Sequence, residues 1–259
     1  MREGVYAVPD LPHDVQAAVG HGGLLGCLSR VRAAGLWTLS EPTSAHVAMP
    51  PTGRRRRHDG CVCVTHWAAS TASGGMSSLD DALVQLLGCR GGEEFFVALE
   101  SAMRKRFLTR TSLARIRSRL PAVHRWLVDF ARWNADSGLE SLLRLRLRVL
   151  GIDLASRVEI PGVGRVDFVL GDRLILEVDG KHNHVDGFDT SIRAETDVSR
   201  AAAASKRHKD LVRDAVAAAH GFDTLRFDYA LVVHDWQIVE AAILAKVERG
   251  LHLRSRVAR

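Results

Sequence analysis

Residues 165–184, RVDFVLGDRLILEVDGKHNH, constrain this chain more than any other stretch. Two apolar runs, 165–170 and 174–179, are rich in Val, Ile, Leu and Phe and flank Gly171 and Asp172, residues that favour a reversal. The pattern predicts a β-hairpin. Side chains alternate along a strand, so Ile175, Glu177 and Asp179 share one face while Leu174, Leu176 and Val178 take the other. Two carboxylates among apolar neighbours cost desolvation and mutual repulsion unless a cation or a shared proton relieves them. The expected partner is Mg²⁺ (or Mn²⁺), a hard ion that takes oxygen ligands and keeps waters able to attack phosphorus. Asp167 is expected to add a carboxylate from the first strand, on one condition. A plain two-residue turn would put Asp167 opposite Leu176; a three-residue loop or a glycine bulge restores parity and brings it across from Glu177.

The spread from Asp167 through Glu177 to Lys181 resembles the PD-(D/E)xK nuclease signature, and EVDGKHNH resembles a family allied to the very-short-patch-repair endonucleases. That family follows its EVDG segment with a histidine, then a basic helix with an Arg-Asp pair, then a Gly-aromatic-x-x-Leu-Arg-Phe strand. This chain has Arg213 and Asp214, then GFDTLRF at 221–227. The match spans roughly residues 137 to 250, and several separated pieces recur in order. It implies an α/β, restriction-endonuclease-like domain, a mixed sheet flanked by helices, that hydrolyses DNA phosphodiesters with Mg²⁺. Asp167, Glu177 and Asp179 would hold metal or water, and Lys181 would serve the nucleophile or the transition-state charge. His182 or His184 would be a general acid or base. Two registers stay open: Glu177-Val178-Asp179 carries an acid where the commonest motif has lysine, whereas Asp179-Gly180-Lys181 fits D-x-K. Taken singly, each of these residues also has a plainer reading as a turn or a solvated strand end.

Around the hairpin, Ser137 and Glu140 make a capping box for a helix running toward Leu150, although 142–148 alternates like a strand. Resemblance to PD-(D/E)xK folds adds Glu140 as a secondary candidate for the metal site, behind its capping role. Arg144 and Arg148, one helical turn apart, could meet phosphate or simply face solvent. An Ala-rich helix over 200–220 aligns Lys206, Lys209 and Arg213 on one side, with Leu211 and Ala215 on its apolar face. Gly221 ends that helix, and Arg226 on the next strand is a candidate phosphate clamp. A closing helix over 234–249 precedes an Arg-rich tail expected to be mobile.

The formal charge of +6 and pI near 9.5 favour an anionic partner, and an apolar fraction of 46% is ample for a packed core. No apolar run has membrane-spanning length, and Cys27, Cys61, Cys63 and Cys89 show no paired zinc spacing, so reduced thiols in a cytoplasm are expected. Residues 1–10 read as a short strand, 21–39 as a compact helix, 45–49 as a strand, 54–57 as a basic loop, 61–66 as a strand and 71–78 as a Ser/Gly-rich joint. Ser78 with Asp81 marks a helix start, and 79–87, 94–107 and 112–120 show helical spacing. GVYAVP, followed by GGLLGCLSRVRAAGLWTL, resembles the segment after the helix-turn-helix of AbiEi-type antitoxin proteins. That resemblance implies a DNA or toxin partner; the recognition helices expected before GVY are missing, so either the domain is truncated or the true start codon lies upstream of Met1. The expected organisation is an α+β winged-helix remnant over 1–70, a helical connector over 71–134, the endonuclease-like domain over 135–250 and a basic tail over 251–259. Two functions compete: a metal-dependent endonuclease of phage defence, repair or a mobile element, and a non-catalytic DNA-binding regulator.

Overall fold

The computed structural model describes residues 11–56, 62–179 and 197–254, with the side chains of 72, 73 and 197–207 left aside. The chain divides into two compact units at Leu142 and Leu143.

The first unit opens with α1 (His13–Gly20), β1 (Leu24–Leu25) and α2 (Cys27–Ala33). One helix was expected over 21–39; glycines interrupt it. Gly22 takes φ +86°, and a Cβ on Gly23 would fall 2.6 Å from the Ala48 carbonyl oxygen, so the chain turns there and passes against the sheet. Next come β2 (His46–Met49), β3 (Val64–Trp67), β4 (Ala72–Ser73) and β5 (Met76–Ser77). The five strands form a mixed sheet in the order β3-β2-β1-β5-β4. Val15, Ala18, Leu25, Val47 and Met49 make the core between α1 and this sheet.

Residues 71–134 were expected to be a connector and are part of this unit. β5 pairs with β1, and α3 (Leu79–Arg90) starts at Ser78, whose Oγ accepts the Asp81 N–H at 3.2 Å. The Asp81 carboxylate in turn accepts from Ser78 Oγ and the Thr71 N–H and pairs with Arg119. Burial alone would raise this carboxyl; those hydrogen bonds and the Arg119 charge outweigh it and hold it below its ordinary range. Three more helices follow, α4 (Gly92–Arg104), α5 (Arg110–Arg119) and α6 (Arg125–Phe130), with Phe95, Phe96, Leu99 and Met103 fully buried. Trp126 and Trp133 make side-chain contacts within this layer, with Phe130 and Arg106 respectively.

The division falls within α7 (Gly138–Val149), a helix despite its strand-like alternation. Ser137 caps it as expected, its Oγ accepting the Glu140 N–H at 3.1 Å and its O–H donating to Glu140 Oε1 at 3.0 Å. Arg144 is buried, whereas Arg148 is exposed, as its plainer reading expected, and pairs with Asp153.

In the second unit β6 (Ala155–Ile160), β7 (Gly164–Leu170) and β8 (Leu174–Asp179) run antiparallel in sequence. Then α8 (Asp197–Ala219) precedes β9 (Asp223–Asp228), which lies parallel to β8 at the far side of a four-stranded sheet. The unit is thus mixed α/β. Val166, Val169 and Ile175 pack with Ala217 and Val216 of α8, whereas Leu211 and Ala215, expected on its apolar face, are exposed. The closing helix is two pieces, α9 (Tyr229–Val233), capped by Asp228, and α10 (Trp236–Glu248). Residues 251–254 of the expected mobile tail are docked. The His252 carbonyl accepts the N–H groups of Asp172 and Arg173 at 3.0 and 3.2 Å, and the Arg254 N–H donates to Asp172 Oδ1.

Gly171 is the pivot of that contact. It sits at φ +64°, and an added Cβ would fall 2.2 Å from the His252 carbonyl oxygen. Gly171→Ala should therefore lower stability by about 2 to 4 kcal/mol, combining left-handed strain with a backbone clash. Urea unfolding would measure it, and a change within 0.5 kcal/mol, roughly that of an ordinary surface substitution, would contradict the assigned turn.

Candidate functional site

The hairpin turn comprises Gly171, Asp172 and Arg173. Leu170 pairs with Leu174 and Phe168 with Leu176, so continuing the ladder by one step sets Asp167 across from Glu177. This is the parity the three-residue alternative required. The same ladder puts Val169 and Ile175 on the acid-bearing face and Phe168, Leu174 and Leu176, all fully buried, on the other. On the neighbouring strand Arg226 is in register with Glu177, and Asp228 with Asp179. Asp167, Glu177, Asp179 and Arg226 thus share one face, toward which α8 presents Arg213.

Each of these groups has a local partner. Asp167 Oδ2 accepts the Val178 N–H at 3.0 Å. Glu177, with a side chain 15% exposed, pairs through Oε1 with Arg213 Nη2 at 2.8 Å. Arg213 also donates to the carbonyls of Val163 and Arg165, and Arg226 pairs with Asp214. Arg213 and Arg226, expected as phosphate-binding side chains, are each engaged by a carboxylate, Arg213 by Glu177 and Arg226 by Asp214. Asp179 ends β8 and is exposed, as is Lys209 on α8. Lys206's side chain, Lys181, His182 and His184 lie outside the described residues. Glu140 belongs to the first unit, where it closes the cap of α7.

Burial raises the Glu177 carboxyl above its ordinary range, and the nearby Asp167 charge raises it further; Arg213 and Arg226 oppose this without cancelling it. With oxygen donors from two adjacent strands, Asp167 and Glu177 suit a hard divalent cation, and Asp179 stands one turn of the pleat beyond.

A second constellation lies in the first unit. Cys27, His46, His66 and Cys89 bring one ligand atom each to within 4.8 Å of one another. Gly26 makes this possible: its N–H donates to the His46 carbonyl at 2.8 Å, and a Cβ there would fall 2.8 Å from both the Ala48 Cβ and Gln85 Oε1. Gln85 in turn accepts the Cys27 N–H at 3.0 Å. His66 is in register with Ala48, two residues beyond His46, so both imidazoles occupy one sheet face, with His46 Nδ1 3.0 Å from His66 Nε2. Cys89 Sγ lies 3.8 Å from the same His46 nitrogen. Burial, with smaller contributions from His66 and Arg90, brings His46 down to about 4, so its imidazole is neutral at pH 7. Burial and Cys89 push the Cys27 thiol up. Sequence spacing gave no sign of this group, because each member comes from a different element and no two form a CxxC-type pair. The one available signal was that each of the two Cys and two His falls inside or beside a predicted helix or strand.

The chain matches no protein-family model, no curated protein and no solved structure. No helix among the described residues is long and apolar enough to cross a membrane.

The charge balance at Glu177 can be tested directly. In metal-free protein, Arg213→Leu should cost about 1 to 3 kcal/mol near neutral pH, because it leaves a half-buried carboxylate beside Asp167 without its guanidinium. Removing Arg213 raises the Glu177 pKa further, so the folded state binds more protons than the unfolded one between the two values, and the loss should shrink as pH falls through that window. Urea midpoints compared near neutral and mildly acidic pH would show this. A loss independent of pH, or one not reduced by adding Glu177→Gln, would contradict the coupling.

Proposed function

We propose that the second unit is a metal-dependent endonuclease acting on DNA phosphodiester bonds. The observation that carries this reading is the cross-strand placement of Asp167 and Glu177 on one sheet face, beside Asp179, where burial and the Asp167 charge raise the Glu177 carboxyl. The order of helix, three antiparallel strands, helix and a parallel fourth strand supports it, being compatible with the restriction-endonuclease-like arrangement expected from the sequence.

Asp167 and Glu177 would hold a Mg²⁺ or Mn²⁺ ion, with Asp179 as a further or water-bridged ligand. When bound, such an ion supplies an acidified water and positive charge beside the phosphoryl oxygens. Arg213 fixes Glu177 through Oε1 and leaves the second carboxylate oxygen outside that ion pair, so it acts as a positioning residue. The Asp214–Arg226 pair contributes a second guanidinium near the carboxylates. Lys181 would set a cation near the scissile phosphate and His184, or His182, would move a proton. Lys209, exposed on α8, and Lys206 of the same helix would add sequence-independent attraction to the phosphate backbone. DNA is the anionic partner that the +6 net charge accommodates.

One observation favours a second reading. Glu177 already has a cation in Arg213, an arrangement that a non-catalytic DNA-binding regulator would also keep. Supercoiled and mismatched DNA incubated with Mg²⁺ separates the two. Nicked or linear product should appear with wild type, vanish with chelator, and fall by at least about 100-fold in folded Glu177→Ala and Asp167→Asn. Folded wild type that binds DNA in chelator and leaves every DNA and RNA substrate intact with Mg²⁺ or Mn²⁺ would establish the regulator instead.

A further inference from the structure

We propose that Cys27, His46, His66 and Cys89 form a closed, structural zinc site in the first unit, independent of the carboxylate site in the second. Two sulfurs and two imidazole nitrogens are a soft donor set that selects zinc over Mg²⁺, the reverse of the preference at Asp167 and Glu177. With zinc about 2.0 Å from nitrogen and about 2.3 Å from sulfur, tetrahedral ligand atoms lie about 3.3 to 3.8 Å apart. The group is already close to that: all four atoms lie within 4.8 Å, with one N–N contact of 3.0 Å and one S–N contact of 3.8 Å.

The four ligands arrive from four elements: the start of α2, the start of β2, the third residue of β3 and the last turn of α3. Cys27 and His46 are fully buried. Cys27 also holds φ 45°, a left-handed conformation that costs a non-glycine residue about 1 kcal/mol or more and persists only where its surroundings over-determine it. Hydrogen bonding alone is a weak reason for the arrangement, because thiols are poor donors and acceptors. The buried His46 Nε2, which has no partner among the described residues, is unaffected by the assignment, since Nδ1 is the nitrogen facing the group. All four positions are filled by protein, which leaves no open coordination site and makes the role structural.

Elemental analysis of the full chain, purified without chelator from zinc-replete cells, tests this. One zinc per chain is expected. Exchange with Co²⁺ should give the intense visible bands of a tetrahedral site and a thiolate-to-cobalt charge-transfer band, a signature that needs no variant to fold. Cys89→Ser should weaken zinc affinity by at least about 100-fold, beyond what loss of an outer-shell partner costs. His66→Cys should retain the metal as a three-thiolate site, and Cys63→Ser and Glu177→Ala should each keep one zinc. Wild type without zinc, zinc that survives Cys27→Ser with Cys89→Ser, or a Cys27–Cys89 disulfide in freshly isolated protein would each overturn the proposal.

Discussion

The turn at residues 171–173 decides which face of the second sheet carries charge. Strand side chains repeat every two residues, so one residue fewer in that turn would set Asp167 across from Leu176, on the face of Leu174 and Leu176, where fully buried apolar side chains give a carboxylate no solvation. Three residues, with Gly171 in the left-handed region and the His252 carbonyl taking two of the turn's N–H groups, fix the parity that joins Asp167 to Glu177. Val169 and Ile175 continue that face under Val216 and Ala217 of α8. One helical turn earlier on α8, Arg213 meets Glu177. The acidic site therefore lies where an apolar layer ends, and residues 251–254 help hold the geometry on which it depends.

Charge around Glu177 is arranged against itself. Burial and Asp167 favour the neutral acid; Arg213 and Arg226 favour the carboxylate; Asp214 takes up part of Arg226. Such a balance differs from both simple alternatives. An exposed basic groove would leave the arginines to phosphate, and an isolated ion pair would hold Glu177 below its ordinary range. What remains is a carboxylate pair ordered by a guanidinium that is itself tied to two backbone carbonyls.

Local pattern made much of the second unit legible before any coordinates. Alternation in 165–179 marked the hairpin, Gly171 marked the conditional bulge or longer loop, and Ser137 with Glu140 marked the helix cap against the strand-like alternation of 142–148. What escaped depended on contacts distant in sequence. Leu211 and Ala215 lie on a side of α8 that a helical wheel makes equivalent to others until the sheet chooses Val216 and Ala217. Gly23 and Gly26 looked like helix residues because the reason for them, the close passage of Ala48 and Gln85, lies more than twenty residues away. The two-residue strands around Gly74 and Gly75 are too short for alternation to register. The Cys and His group is the extreme case, since none of its members is a sequence neighbour of another.

The first unit's sheet shows why such a group would matter mechanically. Among the described residues, three of its five strands have two residues and the other two have four, so these ladders contribute few hydrogen bonds. The two-residue strands fall below the lengths that ordinarily make up a sheet, and the unit draws cohesion from elsewhere. The α1 core covers the Leu25, Val47 and Met49 side. Cys27, His46, His66 and Cys89 join α2, β2, β3 and α3 at one point, where α2 and α3 already approach through Gly26 and Gln85. A metal there would replace ladder length with coordinate bonds, and its soft donors would keep it from exchanging places with a hard ion at the carboxylates. The two proposed sites thus divide by chemistry as well as by position in the chain, one fastening a unit with little sheet of its own and the other using a well-formed hairpin to hold acids in place.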